Sequence, residues 1–308
     1  MPNISLICTV LNEKNTILPL LKSMSIQTRL PNEVIIVDGG STDGTFEVLK
    51  TAHRTFPHLK LRVYRHTSGR SEGRNFAILK AKHSTIAITD AGCILDKDWL
   101  ETLTKTLLRT GAEVVSGYYR AEPQTPFEEA VVPYVFVMPD KLDPLNFLPA
   151  TRSMLLKKSV FKTVGYFDEQ LEVSEDYEFA HRLIRANVAI VFCKEATVVW
   201  QPRSSLKSFF KMVMSMSKGD VKGQVIRPKA VLVAVRYILF GALFFTSIYF
   251  KNSELGLLLV GLLLLYSLWA VWKNHNYVSV KAYAWLLVLQ FVADVGVIAG
   301  LVAAVLRR

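Results

Sequence analysis

The chain has 308 residues, and 37 basic against 26 acidic side chains give it a formal net charge of +11 at pH 7. Hydrophobic residues make up 51% of the chain and the mean hydropathy is +0.27, which is too apolar for an ordinary soluble enzyme. The apolar excess lies after residue 229, so a membrane surface explains the basic balance better than nucleic acid does, and we expect no nucleic-acid partner.

Strand and helix patterns alternate along the N-terminal part of the chain. Short β-branched runs predict the strands, and apolar residues spaced three or four apart predict the helices. In chain order we predict a strand at 4–10, a helix at 15–27, a strand at 33–40, a helix at 46–56, a strand at 61–66, a helix at 72–82, a strand at 85–89, a helix at 99–109 and a strand at 112–118. This order is typical of an α/β fold with a doubly wound, mostly parallel sheet.

Polar residues follow three of these strands, at Thr9–Glu13, at Asp38 and at Asp90. Ligands of such sheets bind outside the carboxyl ends of the strands. An Asp before Gly also simply begins many turns, and for either aspartate alone that alternative is equally good. No GxGxxG follows the first strand and no GxxxxGK[ST] occurs, so the sequence favours a nucleotide site built from carboxylates over a glycine-rich phosphate loop.

Five short stretches resemble a known family when they are taken together. They are ISLICTVLNE, VDGGSTDGT, GRSEGRN, TDAGC and SEDYEF, and they occur in the order and spacing of the catalytic domain of glycosyltransferase family 2. The resemblance covers roughly residues 3–205 and implies a GT-A fold and a nucleotide-sugar donor.

The resemblance also implies roles for individual residues. It implies that the donor-binding residues are Thr9, Glu13, Asp38, Arg70, Arg74, Asp90, Arg152 and Arg203, with Asp90 also at a metal ion and Asp176 as the catalytic base. Two of these residues have plainer alternatives. Arg152 could be a solvated loop arginine, and Asp176 could be one of the acids in the first turn of a helix capped by Ser174, which residue spacing alone favours.

The metal site departs from the family pattern. The usual Asp-any-Asp pair appears here as Asp90-Ala91-Gly92, so one expected carboxylate is missing. Mg²⁺ and Mn²⁺ often bind only one or two protein carboxylates and complete their shell with water and phosphate oxygens. A divalent cation on Asp90 is therefore expected, but the sequence leaves metal dependence open. We expect Asp96 and Asp98 to cap the helix that begins near Trp99.

Three apolar runs, at about 230–250, 255–272 and 282–306, are each long enough to cross a membrane. Seven basic residues and one acid lie between positions 203 and 229, which marks the cytoplasmic side of the first crossing. We see no secretory signal in MPNISLICTV. The predicted organisation is a cytoplasmic catalytic domain at 1–203, a basic amphipathic juxtamembrane segment at 204–229 and a multi-pass membrane domain at 230–308 with three transmembrane helices.

Two details of the C-terminal part stay open at the sequence level. The helix predicted over 204–218 either lies among the lipid headgroups or packs on the catalytic domain. Asp294 falls near the middle of an apolar run, where a charge is costly, so we expect it to be protonated or paired, with Arg236 as the hypothetical partner.

The sequence therefore predicts an inverting glycosyltransferase that uses a nucleotide-sugar donor and a lipid-linked or glycan acceptor at the cytoplasmic membrane face. A narrower alternative is a polyprenyl-phosphate glycosyltransferase. An alternative of another class is a membrane-anchored scaffold that binds nucleotide sugar without turnover. A nucleotidyltransferase is weaker, because no basic glycine-rich loop follows the first strand.

Overall fold

The computed structural model describes residues 1–306, and positions 307 and 308 of the predicted membrane domain lie outside the described residues. The chain forms two compact units. The first contains Met1–Glu122 and Met138–Gln201, and the second contains Pro123–Val137 and the chain from Pro202 onward.

The first unit is built on one eight-stranded sheet. Its strands are β1 (Ile4–Val10), β2 (Glu33–Asp38), β3 (Leu61–Arg65), β4 (Thr85–Ile88), β5 (Cys93–Leu95), β6 (Val114–Arg120), β7 (Met154–Lys157) and β8 (Ile190–Trp200). Their spatial order is β3-β2-β1-β4-β7-β6-β8-β5. Four neighbouring pairs are parallel and three are antiparallel, so β7 and β5 turn the predicted parallel sheet into a mixed one.

Helices cover both faces of the sheet. The helices of the first unit are α1 (Ile17–Ser25), α2 (Thr45–Thr55), α3 (Arg70–Lys80), α4 (Trp99–Thr110), α6 (Val160–Val164) and α7 (Glu175–Arg185). Because side chains alternate along a strand, Leu6 and Cys8 of β1 pack with α1 and α4 on one face, while Ile7 packs with α3 and α7 on the other. Burial on both faces explains why the central strands read as continuous apolar runs.

Strand register brings the predicted acidic residues to one edge of the sheet. Val10 pairs with Asp38 on β2, and Ile7 pairs with Ile88 on β4, two residues before Asp90. Strands lie about 4.8 Å apart, so the backbones at Asp38 and Asp90 are separated by about 10 Å across β1. The carboxyl edge of β2, β1 and β4 therefore brings these two acidic residues close together.

The second unit is helical. Its helices are α5 (Pro126–Val135), α8 (Leu206–Lys222), α9 (Pro228–Tyr249), α10 (Ser253–Trp272) and α11 (Tyr283–Val305), and short 3-10 turns lie at Pro57–Leu59 and Pro139–Lys141 in the first unit and at His275–Tyr277 and Val280–Ala282 in the second. By length and composition, three helices of this unit could cross a membrane, within the bounds Pro228–Tyr249, Ser253–Tyr277 and Val280–Val305.

Helix α5 belongs to the second unit although the sequence analysis included it in the catalytic domain. Its N-terminus is capped by Thr125, and its apolar face, which includes Phe127 and Val131, is buried against Leu286 and Leu289 of α11. The sequence could not show this, because an apolar helix face does not reveal which unit covers it. The predicted boundary at residue 203 stays a prediction.

Candidate active site

Arg74 of α3 is the centre of a buried charge network. Its side chain is 2% exposed and donates to Glu175 Oε1 at 2.9 Å and to Asp90 Oδ1 at 3.0 Å. Thr151 closes the network, because its hydroxyl lies 3.3 Å from Arg74 Nη2 and donates to Asp90 Oδ2 at 3.2 Å. Arg74 thus positions two carboxylates from inside the protein, whereas its predicted contact with a donor stays a prediction.

Asp90 is the member of this network that follows strand β4. Its side chain is 24% exposed, so a ligand can reach it. Burial alone raises the pKa of the carboxyl, but the charges of Arg74, Arg152 and Arg70 lower it, and the net pKa lies below the ordinary value. Asp90 is therefore ionised at neutral pH. Each carboxylate oxygen has two lone pairs, so the bonds from Arg74 and Thr151 leave room for a further ligand.

The start of α7 presents two acids in succession. Ser174 precedes the helix in the left-handed region, with φ 66°, and its side chain makes no capping bond, so the capping role considered for it is wrong. Glu175 is buried, and its Oε2 has no hydrogen-bond partner within the described residues. Asp176 is half-buried, and its Oδ1 accepts the backbone N–H of Tyr177 at 2.9 Å.

Arg152 is held between two aromatic rings. The centre of its guanidinium lies 5.0 Å from the ring centroid of Tyr119 and 4.3 Å from that of Trp200. Its buried Nε has no hydrogen-bond partner within residues 1–306. Burial lowers the pKa of Arg152, but Tyr119, Asp90 and Asp176 raise it more, so the net pKa is above the ordinary value. The alternative of a solvated loop arginine is therefore wrong.

Asp38 is fully buried at the end of β2. Its Oδ2 accepts the backbone N–H groups of Gly40 and Ser41, each at 3.1 Å, and Arg65 Nε lies 3.7 Å away. Asp38 thus has the turn-forming role that is the alternative to donor binding. Thr9 lies on the neighbouring strand, level with Val37, and donor binding by Thr9 and Asp38 stays a prediction.

Glu13 lies beside the position of the missing acid. A Cβ atom on Gly92 would be 3.9 Å from Glu13 Oε2, and Gly92 has a positive φ of 79°. Asp90 and Glu13 both raise the pKa of the Cys8 thiol, after burial as the largest cause, which places both carboxylates near one buried atom. The sequence indicates Glu13 as a donor-binding residue but does not connect it with Gly92, because the two are 79 positions apart.

The remaining predicted residues differ in where they lie. Arg70 at the start of α3 is 53% exposed, and its Nη1 is 3.8 Å from Glu175 Oε1. Arg203 belongs to the second unit, so its predicted role stays a prediction.

Asp98 occupies the N-cap position of α4 without a side-chain capping bond, and Asp96 pairs with Arg120 at 3.4 Å, so neither side chain caps the helix as expected.

The residues fit a divalent cation only if the substrate supplies most of its ligands. Among residues 1–306, no three His, Cys, Asp or Glu side chains are grouped as a metal site. The charges of Asp90, Glu175 and Asp176 are balanced by those of Arg70, Arg74 and Arg152, so an arriving diphosphate adds negative charge that a divalent ion would neutralise. A cation held by Asp90, with Glu13 nearby and diphosphate oxygens as further ligands, satisfies the oxygen preference of Mg²⁺ and Mn²⁺.

Several residues of this site could not be selected from the sequence. Tyr119 carries no motif, and the pairing of β6 with β8 places it there. Thr151 and Trp200 lie in the stretches ATRSM and WQPR, which resemble family segments, but the sequence did not assign either side chain a contact. Glu175 could have been selected from the sequence, since it directly precedes the predicted base Asp176.

Comparisons with known proteins identify the family of the chain. The sequence model of the family described as "Glycosyl transferase family 2" matches residues 5–165, just over half of the chain. "Glycosyltransferase AglE" of Haloferax volcanii is 24% identical over 227 residues, covering 72% of this chain and 74% of that protein. "Succinoglycan biosynthesis protein ExoA" of Rhizobium meliloti is 28% identical over 224 residues, covering 69% and 67%.

A solved structure resembles almost the whole chain. It is the mannosyltransferase PcManGT from Pyrobaculum calidifontis in complex with GDP-Man and Mn²⁺, with a TM-score of 0.67, 17% identity, and coverage of 96% of this chain and 87% of that one. At this identity the likeness shows the fold, which is the GT-A fold predicted from the sequence.

Proposed function

Because the chain belongs to glycosyltransferase family 2, we propose that it transfers a sugar from a nucleotide-sugar donor to a lipid-linked or glycan acceptor, with inversion at the anomeric carbon. The observation that carries this proposal is the network of Asp90, Arg74 and Glu175 beside the carboxyl edge of three strands. A nucleoside diphosphate can bind at this edge, and Asp176 adjoins the network.

Asp176 is the proposed general base. The attacking acceptor hydroxyl loses its proton to a carboxylate oxygen of Asp176 while the bond between the anomeric carbon and the diphosphate oxygen breaks. A base on the face opposite the leaving group gives inversion. Arg70 and Arg152 supply positive charge near Asp90 and Glu175, where it stabilises the departing diphosphate.

A divalent cation is the expected cofactor. The Mn²⁺ complex of PcManGT supports a divalent ion in this fold, and in this chain Asp90 would hold it, with Glu13 as the nearest additional carboxylate. When bound, such an ion supplies electrostatic stabilisation of the leaving phosphates. Arg74 keeps Asp90 in place whether or not the ion is present.

The membrane part favours an acceptor that is itself at the membrane. The apolar helices of the second unit would anchor the chain, and the basic residues between positions 203 and 229 support a cytoplasmic location of the catalytic unit. The relative ExoA is named for succinoglycan biosynthesis, which supports an envelope glycan or its lipid-linked precursor as the product class.

A panel of labelled nucleotide sugars tests the proposal. Membranes that contain the protein are incubated with each donor, with and without Mn²⁺, and label in the lipid and polymer fractions is counted. We expect one donor to label a membrane product, and Asp176→Asn membranes to lose that label. Absence of transfer and of donor hydrolysis with every donor would leave the non-catalytic scaffold as the function.

The same product separates the two enzymatic alternatives. If the acceptor is a polyprenyl phosphate, the sugar is attached to phosphate and is released by mild acid, whereas a glycosidic bond resists this treatment. A phosphate acceptor has no proton that must be removed, so Asp176→Asn would then cost little activity.

A further inference from the structure

Helices α8 and α11 pack along each other over most of their lengths. Near the starts of both helices, Phe209 shares a cluster with Leu286 and Leu289. Farther along, Ser217 Oγ donates to the carbonyl oxygen of Val297 at 2.9 Å. The contacts advance together along both chains, so the two helices run in the same direction.

The two backbones also approach closely. A Cβ atom on Gly300 would lie 2.4 Å from the carbonyl oxygen of Met214 and 2.7 Å from Ser217 Cβ, and one on Gly296 would lie 3.1 Å from Val213. At position 300 only glycine permits this approach. Helix α8 must therefore have the same orientation to the membrane as α11.

Helix α8 has the composition of a helix that does not enter the hydrocarbon. Exposed lysines occur at 207, 211 and 222, along its whole length. A charged side chain at the bilayer centre costs about 3 kcal/mol. If α8 and α11 both crossed the membrane, these lysines would lie at every depth from one headgroup layer to the other.

Chain connectivity gives an independent argument. Helices α9 and α10 form an antiparallel hairpin, with Phe240 near Tyr266 and Ser247 near Gly256. Helix α9 starts on one side of the membrane, so α10 ends on that side, and α11 starts there. If α11 crossed, its end would lie about 30 Å away from the start of α9. Instead, Ile226, two residues before α9, and Val305, the last residue of α11, line the same cavity.

A buried polar cluster around Asp294 joins α11 to the hairpin. Asp294 lies 3.2 Å from Arg236 Nη2 and accepts from Tyr237 at 3.1 Å, from Tyr266 at 2.5 Å and from its own helix through Gln290 at 3.0 Å. The hypothetical pair of Asp294 and Arg236 is thus present in the structure. It joins all three helices where α11 meets the hairpin.

The charges beside the helices agree with two crossings. Basic residues precede α9, Lys273 and Lys281 lie between α10 and α11, and Arg307 and Arg308 follow α11, whereas the α9–α10 connection has Lys251 with Glu254 close by. With three crossings, residues 307 and 308 would be placed on the side opposite to the other basic segments, against the positive-inside tendency.

We infer that only α9 and α10 cross the membrane, and that α11 lies along the membrane surface together with α8. Helices α8 and α11 then contact the inner lipid leaflet. Val288, Val295 and Val302, which are 38%, 52% and 50% exposed, repeat every seven residues and form the face turned toward the lipid. This inference changes the sequence-based expectation of three transmembrane helices and does not depend on the proposed enzymatic activity.

Spin-label depth measurements test the inference. Val288→Cys, Val295→Cys and Val302→Cys are labelled one at a time in the full chain, reconstituted in vesicles, and the depth of each label is read from its accessibility to oxygen and to a water-soluble nickel complex. We expect the three depths to agree within a few ångströms, because the helix lies in the plane. The native cysteines are buried, which limits their labelling, and the unsubstituted chain gives the background.

Two positions of the crossing hairpin are the matched controls. Leu258→Cys and Leu265→Cys on α10 are also exposed and seven residues apart, and their depths should differ by about 10 Å. A difference of about 20 Å between residues 288 and 302, fourteen positions apart, would overturn the inference. A second experiment fuses alkaline phosphatase after residue 308. Activity of this fusion outside the cell would also overturn the inference.

Discussion

At the scale of single residues, the site depends on charges that the protein pairs before any substrate arrives. Burial lowers the pKa of Arg74, but the charges of Glu175 and Asp90 raise it more, so the net pKa lies above the ordinary value. A buried arginine between two carboxylates fixes their positions, and loss of either partner would leave an uncompensated charge. The sequence indicated Asp90 and Asp176 through the family motifs, but it could not show that Arg74 joins Asp90 to Glu175, the residue before Asp176.

The roles of the two adjacent acids on α7 can be separated. With a hydroxyl acceptor, we expect Asp176→Asn to lower the transfer rate about 10²- to 10⁴-fold, as for loss of a general base. Donor binding should change little. Glu175→Gln should lower the transfer rate and also weaken donor binding, because Arg74 loses its partner Glu175 and then positions Asp90 less firmly. Transfer rates and donor affinities are measured for both variants. Near-normal transfer by Asp176→Asn together with loss of transfer in Glu175→Gln would exclude Asp176 as the base.

Glu13 can be tested as a replacement for the missing metal-binding acid. We expect Glu13→Gln to weaken Mn²⁺ binding to the diphosphate complex about tenfold, measured by the electron paramagnetic resonance signal of free Mn²⁺. Gly92→Asp in the Glu13→Gln background should restore part of this affinity, because a residue 92 side chain begins 3.9 Å from the Glu13 carboxylate. Aspartate tolerates the positive φ better than most residues do. The exposed Glu47→Gln is the control, and unchanged Mn²⁺ affinity in Glu13→Gln would contradict the role.

At the scale of elements, local patterns were sufficient where the chain is regular. The strand predicted at 4–10, the predicted starts of β2, β3 and β4, and the start of α4 at Trp99 agree with the structure, and the other boundaries differ by a few residues. Strand β5 has only three residues and exists because β8 pairs with it, so no local signal could predict it. The antiparallel β7 was missed for the same reason, since its partners β4 and β6 are distant in sequence.

Glu33 links strands β1, β2 and β3 and should make stability depend on pH. Its carboxylate accepts from Ser5 and from the Lys82 backbone, each at 2.7 Å, and from Arg62 at 2.8 Å. Burial raises the pKa of Glu33, but these three donors lower it further, and the net pKa is below the ordinary value. Because the folded pKa is depressed, this stabilisation is present above the unfolded pKa and is lost as pH falls through the folded pKa.

We therefore expect Glu33→Gln to destabilise the protein by about 2 kcal/mol at neutral pH and by progressively less below about pH 4. Thermal unfolding in detergent between pH 7 and pH 3 measures this difference. Glu47→Gln, at an exposed position of α2, should change the midpoint little at any pH. A destabilisation by Glu33→Gln that is independent of pH would contradict the assigned charge interaction.

The contact between α8 and α11 can be tested with glycine substitutions. Gly300→Ala places a methyl group against the Met214 carbonyl, so we expect a loss of about 2 kcal/mol, seen as a lower melting midpoint in detergent. Gly261→Ala on α10 has nothing within 4 Å and should be neutral or slightly stabilising. Equal midpoints for the two variants would mean that α8 and α11 are not in close contact.

At the scale of the whole molecule, the chain combines a family 2 glycosyltransferase fold with a helical unit whose arrangement the sequence did not predict. Hydropathy identified the three apolar helices, but hydropathy does not distinguish a helix that crosses the membrane from one that is covered by α5 and α8. The contacts of α11 supply that distinction, and they depend on Gly300, Asp294 and the position of the α11 end beside Ile226.

We propose that the carboxyl edge of β2, β1 and β4 binds a nucleotide sugar through Asp90. The most direct measurement is isothermal titration calorimetry of the purified full chain with each nucleotide sugar and Mn²⁺, repeated with Asp90→Asn. We predict saturable binding of one donor to the unsubstituted protein and an affinity at least about tenfold lower for Asp90→Asn. Binding of no donor, or equal affinity of both proteins for the same donor, would exclude donor binding through Asp90.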